Sequence, residues 1–191
     1  MKIQSAFHKI IYLFLPLFLA LGLLLAMHAQ IIRAVPDAPG DLDTTFGNNG
    51  VVIEDVGGFD LGRGLALRSD NKIWVIADSF NASFTTIQSY LLLYNSDGSL
   101  DTSFGTNGVA SIAPINPVAN DGVLAIAMQP DGKVVVAGSV DTNGNKDFAV
   151  FRFTADGSVD SSFGIGGVIT TPINVSANDE AASLVIQSDG K

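Results

Sequence analysis

The sequence predicts an all-β protein built of tandem four-stranded antiparallel units behind an N-terminal hydrophobic helix. One observation is a recurring segment, GDLDTTFGNNG at 40–50, DGSLDTSFGTNG at 97–108 and DGSVDSSFGIGG at 156–167, whose phenylalanines Phe46, Phe104 and Phe163 stand 58 and 59 residues apart. A second marker keeps the same period: SDNK at 69–72, PDGK at 130–133 and SDGK at 188–191, with aspartates 61 and 58 residues apart. Two markers at one period signal tandem supersecondary units. The third observation is compositional: of nineteen acidic residues only Glu54 and Glu180 are glutamates. Aspartate favours turns and glutamate favours helices, so the skew points to strands joined by many turns.

The elements follow in chain order. Lys2 and Lys9 precede the apolar run Ile10 to Met27, the layout of a secretory signal. Its 18 residues are long for a signal core and just enough for a membrane helix, and Pro16 is tolerable in either. Residues 1–35 are therefore read as a signal peptide or an uncleaved signal anchor. Export, to the cell surface or beyond, is expected in both cases, with membrane contact only through 10–27 if the segment is kept.

Residues 36–191 form the repeat body, with units near 41–98, 99–157 and 158–191. In the middle copy, VLAIAMQ at 123–129 is apolar, as a strand buried between neighbours is. Pro130-Asp131-Gly132-Lys133 is a hairpin turn in which glycine supplies the positive φ. VVVAGSV at 134–140 is a β-branched strand, DTNGNKD at 141–147 a second hairpin loop, and FAVFRFT at 148–154 a third strand. VITTPI at 168–173 is the fourth. Four strands in about sixty residues make one antiparallel sheet, and successive sheets must stack to bury both faces. The third unit closes on a strand at 181–187 and the hairpin turn at 188–191. Its edge would stand open, so a longer reading frame, or self-association that completes the sheet, is expected.

The recurring segment reads as a structural clasp. Asp43, Asp101 and Asp160 each stand three residues before the phenylalanine, where a carboxylate can close an Asx-turn. Phe46, Phe104 and Phe163 are the large apolar groups there and would plug the gap between stacked sheets. Asn49-Gly50, Asn107-Gly108 and Gly166-Gly167 tolerate the positive φ needed before the next strand.

The stretches GDLDTTFGNNGVV, AMQPDGKVVVAGS and DFAVFRFTADGSVDSSFG resemble the delta-60 repeat of bacterial exported proteins. The likeness runs from about Asp41 to Lys191 and implies a partial β-propeller of tandem blades, and export; it implies no activity. The first unit departs most: Asn71 replaces the turn glycine, Trp74 enters the strand, and Ser79 to Gln88 replaces the compact loop.

Composition narrows the chemistry. From Asp37 onward there are seven basic against nineteen acidic residues, a balance of −12, which disfavours a nucleic-acid surface. The chain has no cysteine, and its only histidines, His8 and His28, lie in the N-terminal segment. The body thus lacks thiolates and the commonest general base and metal ligand. Asp141, Asn143, Asn145 and Asp147 alternate like the first half of a calcium loop. Gly144 stands at the fourth place rather than the sixth, Lys146 intrudes a positive charge and no glutamate closes the loop, so a plain Asn-Gly hairpin is the preferred reading.

The pairs Asp97/Asp101 and Asp156/Asp160 have the makings of a glycosidase acid and base. They recur with the repeat, and Pro39 stands where the first copy would need its acid, so turn capping is preferred. Asn81-Ala82-Ser83 and Asn174-Val175-Ser176 match a glycosylation sequon that matters only in a glycosylating compartment, and GRG at 62–64 and GIGG at 164–167 precede no helix that could form a phosphate site.

The expected function is a non-catalytic exported scaffold or binding module without cofactor, taking a protein or glycan on variable loops such as 79–88 and 111–121. The alternatives are an exported Asp-dependent hydrolase and a calcium-binding surface protein. The mass of the exported protein separates the two N-terminal readings: a start at Gln30 or Val35 is expected of a cleaved signal, and an intact Met1 in the membrane fraction of an anchor.

Overall fold

A computed structural model describes residues 39–112, 121–142, 144–174 and 176–191. The chain divides into Met1–Asp43 and Thr44–Lys191. Of the first unit only the turn at 39–43 is described; the hydrophobic segment 10–27 lies outside the described residues, as do 113–120 and Asn143. No helix of the described residues is long and apolar enough to cross a membrane.

The second unit is all-β among its described residues. Eight strands form two four-stranded antiparallel sheets, each in sequential order, as propeller blades are. The first holds β1 (Phe59–Leu67), β2 (Ile73–Phe80), β3 (Ile87–Tyr94) and β4 (Val109–Ile112). The second holds β5 (Gly122–Met128), β6 (Val134–Asp141), β7 (Lys146–Phe153) and β8 (Val168–Thr171). β6 is buried along nearly its whole length because both its faces are covered, which explains its unbroken apolar run. β7 alternates buried with half-buried residues.

The two sheets share the bonds of their first hairpin turn and of their clasp. The first hairpin closes with Arg68 N–H to Lys72 O at 2.7 Å and Asn71 N–H to Arg68 O at 3.0 Å; the second with Gln129 N–H to Lys133 O at 2.8 Å and Gly132 N–H to Gln129 O at 3.0 Å. Asn71 takes a φ of 65° where Gly132 takes 87°, so the missing glycine leaves the turn intact. A bulge interrupts β1 between Gly62 and Gly64 and β5 between Val123 and Ala125. The clasp lies between the third and fourth strands of a sheet: Leu93 donates to Gly108 O at 3.0 Å, and Arg152 to Gly167 O at 2.9 Å. Sequence units that begin at the clasp therefore cut each sheet between its third and fourth strands.

Packing between the sheets explains the recurring phenylalanine. Trp74, Ile76, Leu91, Leu93 and Phe104 of the first sheet share one core with Val134, Val136, Phe151 and Phe153 of the second. Phe104 is 2 % exposed and meets Trp74 edge-to-face with ring centroids 4.8 Å apart. On its other side lies Gly157, in the Asp-Gly turn of the next sheet, where an added Cβ would overlap the ring. The opposite face of the first sheet, centred on Ala77, Leu92 and Tyr94, is covered by Val52 and Val56. Phe46 and Phe163 are half-buried. Phe104, with a described sheet on each side, is the buried one.

Residues 181–187 do not form the strand the sequence predicts. A ladder needs a neighbour to bond along its length, whereas this segment is fixed by the buried Ala181, whose N–H meets Gly138 O at 3.2 Å. The turn after it forms even so, with Gln187 N–H to Lys191 O at 2.6 Å and Gly190 N–H to Gln187 O at 2.9 Å. Its Gly190 carbonyl accepts a hydrogen bond from Gln129 Nε2 at 2.5 Å. The turn is thus held by local bonds and by the preceding sheet.

Truncating Phe104 to alanine is expected to cost about 3–5 kcal/mol in chemical denaturation. Gly157→Ala should destabilise through the same contact, and the double variant should lose less than the sum of the two, since the vacated ring leaves room for the methyl group. Strict additivity would show that the two residues do not share the seat.

Candidate functional site

The clasp aspartates have definite tasks. Asp101 Oδ1 accepts Ser103 N–H at 3.1 Å and Ser103 Oγ at 2.6 Å, while Oδ2 meets Lys72 Nζ at 2.6 Å. Asp160 repeats the arrangement with Ser162 N–H at 3.1 Å, Ser162 Oγ at 2.5 Å and Lys133 Nζ at 2.9 Å, and adds Arg152 Nε at 2.9 Å. Lys72 and Lys133 are the last residues of SDNK and PDGK. The two markers of the repeat are therefore partners in one latch, which ties the first hairpin of a sheet to its clasp.

The bond from Lys72, with that from Ser103, holds Asp101 down at about 2. The Ser162 hydroxyl, then Lys133, pull Asp160 further below the usual carboxylate range. Phe163 lies under the Arg152 guanidinium, 4.4 Å from ring centroid to Cζ. Asp43 is exposed at the last position of the first unit.

Clasp conformation also gives a reason for the glycine after each phenylalanine. Gly47, Gly105 and Gly164 all have φ between 51° and 56°, and a Cβ on any of them would run into the carbonyl oxygen of Val51, Val109 or Val168. Sequence reasoning assigned the closing pair its role and missed this residue, although its fixed place after phenylalanine was the visible signal. It also missed Asp78, an aspartate inside the apolar strand IWVIADSF. Asp78 is fully buried, paired with Arg63 Nε at 2.8 Å, and accepts Ser89 Oγ at 2.5 Å and the N–H of Val123, in the other sheet, at 3.4 Å.

The carboxylate pairs Asp97/Asp101 and Asp156/Asp160 are turn acceptors. Asp97 Oδ1 receives Ser99 N–H at 2.9 Å and Ser99 Oγ at 2.7 Å; Asp156 Oδ1 receives Thr154 Oγ1 at 2.5 Å and Ser158 N–H at 3.0 Å. Ser99 and Thr154 are the leading causes that lower their pKa values. A glycosidase acid needs its pKa raised so that it holds a proton at working pH, and all four groups are shifted the other way.

The loop at 141–147 is a hairpin between β6 and β7. Asp141 Oδ1 accepts Gly144 N–H at 2.7 Å, Asp147 accepts the Thr142 hydroxyl, and Thr142 N–H reaches Asn145 O at 2.9 Å. Among the described residues no group of three or more His, Cys, Asp or Glu stands together as a metal cluster would.

The sheets differ most at the tip between their second and third strands. In the first sheet the tip is 81–86, organised by Asn81: its Oδ1 accepts Thr85 N–H at 2.8 Å and Thr86 N–H at 3.3 Å, and its Nδ2 donates to Thr85 Oγ1 at 2.9 Å. That sequon amide is thus committed to the loop, while Asn174 Oδ1 accepts Ser176 N–H at 3.0 Å. Phe84 is held at a φ of 53°, a conformation costly for a bulky side chain. It completes a cluster of three rings: Phe59–Phe84 at 5.6 Å, Phe80–Phe84 at 6.0 Å and Phe59–Phe80 at 6.4 Å between centroids.

Phe59 and Phe84 remain 53 % and 62 % exposed. Beside them Phe80 forms part of the wall of an open groove of about 330 Å³ that runs along Val56 to Gly58 and across to Gln88 and Tyr90. Of the two loops proposed to bind, 79–88 is described and carries this surface; most of 111–121 lies outside the described residues.

Residues 68–104 and 129–163 match the model of a domain of unknown function (DUF5122) β-propeller. Each match starts at the first residue of a hairpin turn, Arg68 or Gln129, and ends at a clasp phenylalanine, so each contains one latch. The matches support a β-propeller-like repeat. No curated protein and no solved structure matches the chain.

The latch predicts an acid transition with a definite sign. Asp101 has a folded pKa near 2 against about 3.9 unfolded, so its contribution is complete above about pH 5 and is lost as pH falls through 4 toward 2. Thermal melts should show a flat Tm from neutral pH down to about 5 and a decline below it. Lys72→Met should lower the plateau by a few degrees and shallow the decline, because the carboxylate loses its main reason to stay ionised.

Proposed function

We propose that this protein is an exported, non-catalytic repeat protein that presents a ligand-binding surface on its first sheet. The observation that carries the reading is where the repeats agree and where they part. Hairpin turn, bulge, latch and clasp recur in both sheets, as parts that serve the fold would. The tip at 81–86 does not recur, and it sets exposed aromatic rings beside a groove where the second sheet has a short polar turn. Binding residues concentrate on loops carried by a rigid scaffold.

Export rests on Lys2, Lys9 and the apolar run 10–27, and on the resemblance to the delta-60 repeat of bacterial exported proteins. The absence of chemistry rests on the carboxylates: Asp97, Asp101, Asp156 and Asp160 are each engaged by a hydroxyl and a backbone N–H, and none is poised to give a proton.

Replacing Asp101 and Asp160 by asparagine tests this. The expected result is a lower melting temperature with no change in hydrolysis across a panel of glycoside and ester substrates. A variant that keeps its fold and loses a hydrolytic activity present in the parent would overturn the proposal.

A further inference from the structure

We propose that the groove beside the aromatic tip of the first sheet binds a neutral glycan chain, an assignment that rests on the binding-surface reading above and names its ligand class. Four observations point there. The groove wall holds no charged side chain, in a chain of net charge −9. An anionic phosphate or sulfate would find no cation to pair with, and a divalent cation would find no carboxylate.

The polar groups of the wall are neutral, and several are uncommitted. The Tyr90 and Thr86 hydroxyls and the Gln88 Oε1 have no hydrogen-bond partner among the described residues, while Gln88 Nε2 is anchored to Ser111 Oγ at 2.8 Å and Ile112 O at 3.1 Å. A fixed amide with a free acceptor, flanked by two hydroxyls, suits the alternating donors and acceptors of a polyol.

The rings supply the apolar part. Phe59 and Phe84 stand mostly in solvent next to Phe80 of the wall, and Phe84 holds its outward position in a left-handed conformation. Exposed aromatic faces of this kind take up the C–H faces of sugar rings by dispersion and quadrupole attraction. Finally, the wall takes Ser79 and Phe80 from β2 and Ile87, Gln88 and Tyr90 from β3, and these two strands are paired to each other along their whole length. An extended peptide that docks by adding a strand needs an open edge, and none lies between them.

The test is affinity electrophoresis of the full chain in native gels containing laminarin, xylan or mannan, with heparin as the charged control. Retardation is expected in at least one neutral polysaccharide and should survive about 0.5 M salt, which screens charge-driven binding. Phe84→Ala and Phe59→Ala should each weaken it about tenfold at unchanged Tm, whereas Phe84→Tyr should retain it.

Retardation by none of the neutral polymers, or retardation untouched by both alanine variants, overturns the assignment, as does retardation by heparin alone that salt abolishes. Peptides selected from a random library that bind the parent and not Phe84→Ala would overturn the glycan while leaving the binding surface standing. Loss of neither class of ligand in the variants would remove both.

Discussion

The two sheets meet around the ring of Phe104. A four-stranded sheet that is apolar on both faces cannot leave either face to water, so something must close the wedge between one sheet and the next. Phe104 does so by standing edge-on to Trp74 and against the bare backbone of Gly157. The seat exists because the next sheet has a glycine where any side chain would collide with the ring. Trp74 thereby becomes intelligible as well: where the second sheet carries valine at the start of its second strand, the first carries a large ring that gives Phe104 a broad surface.

The latch is the polar counterpart of that seat. A clasp inserted between two strands of a sheet is a loop, and loops open unless held. Lys72 and Lys133 reach from a hairpin at one edge of the clasp to Asp101 and Asp160, whose other oxygen orders the turn through Ser103 or Ser162. One carboxylate therefore fixes local geometry and long-range closure together. Because both tasks need the ionised form, its pKa is driven down, and the same shift leaves it unsuited to deliver a proton.

With the framework held by these contacts, the tip of the β2–β3 hairpin is free to vary. It bears no part of the shared core, so a change there costs the fold little, and it is there that the first sheet gathers Phe59, Phe80 and Phe84. In the second sheet the corresponding tip closes tightly through Thr142, Asn145 and Asp147. The same scaffold thus carries a compact turn in one copy and an open aromatic surface in the other.

The sequence by itself determined the strands of the middle unit, the hairpin turns and the clasp, because these are local: β-branched runs, an Asp-Gly pair and residues that tolerate positive φ act within a few positions. It also marked residues 79–88 as the place where the copies diverge. Only the tertiary structure decided what depends on partners far apart in the chain. Lys72 and Asp101 are separated by a whole hairpin, so their two markers recur along the chain without showing that they meet; Phe59 lies on β1 and Phe84 in the loop after β2, a pairing that leaves no periodic trace. Residues 181–187 have the composition of a strand and lack the ladder, since a strand is defined by the neighbour it bonds to rather than by its own side chains.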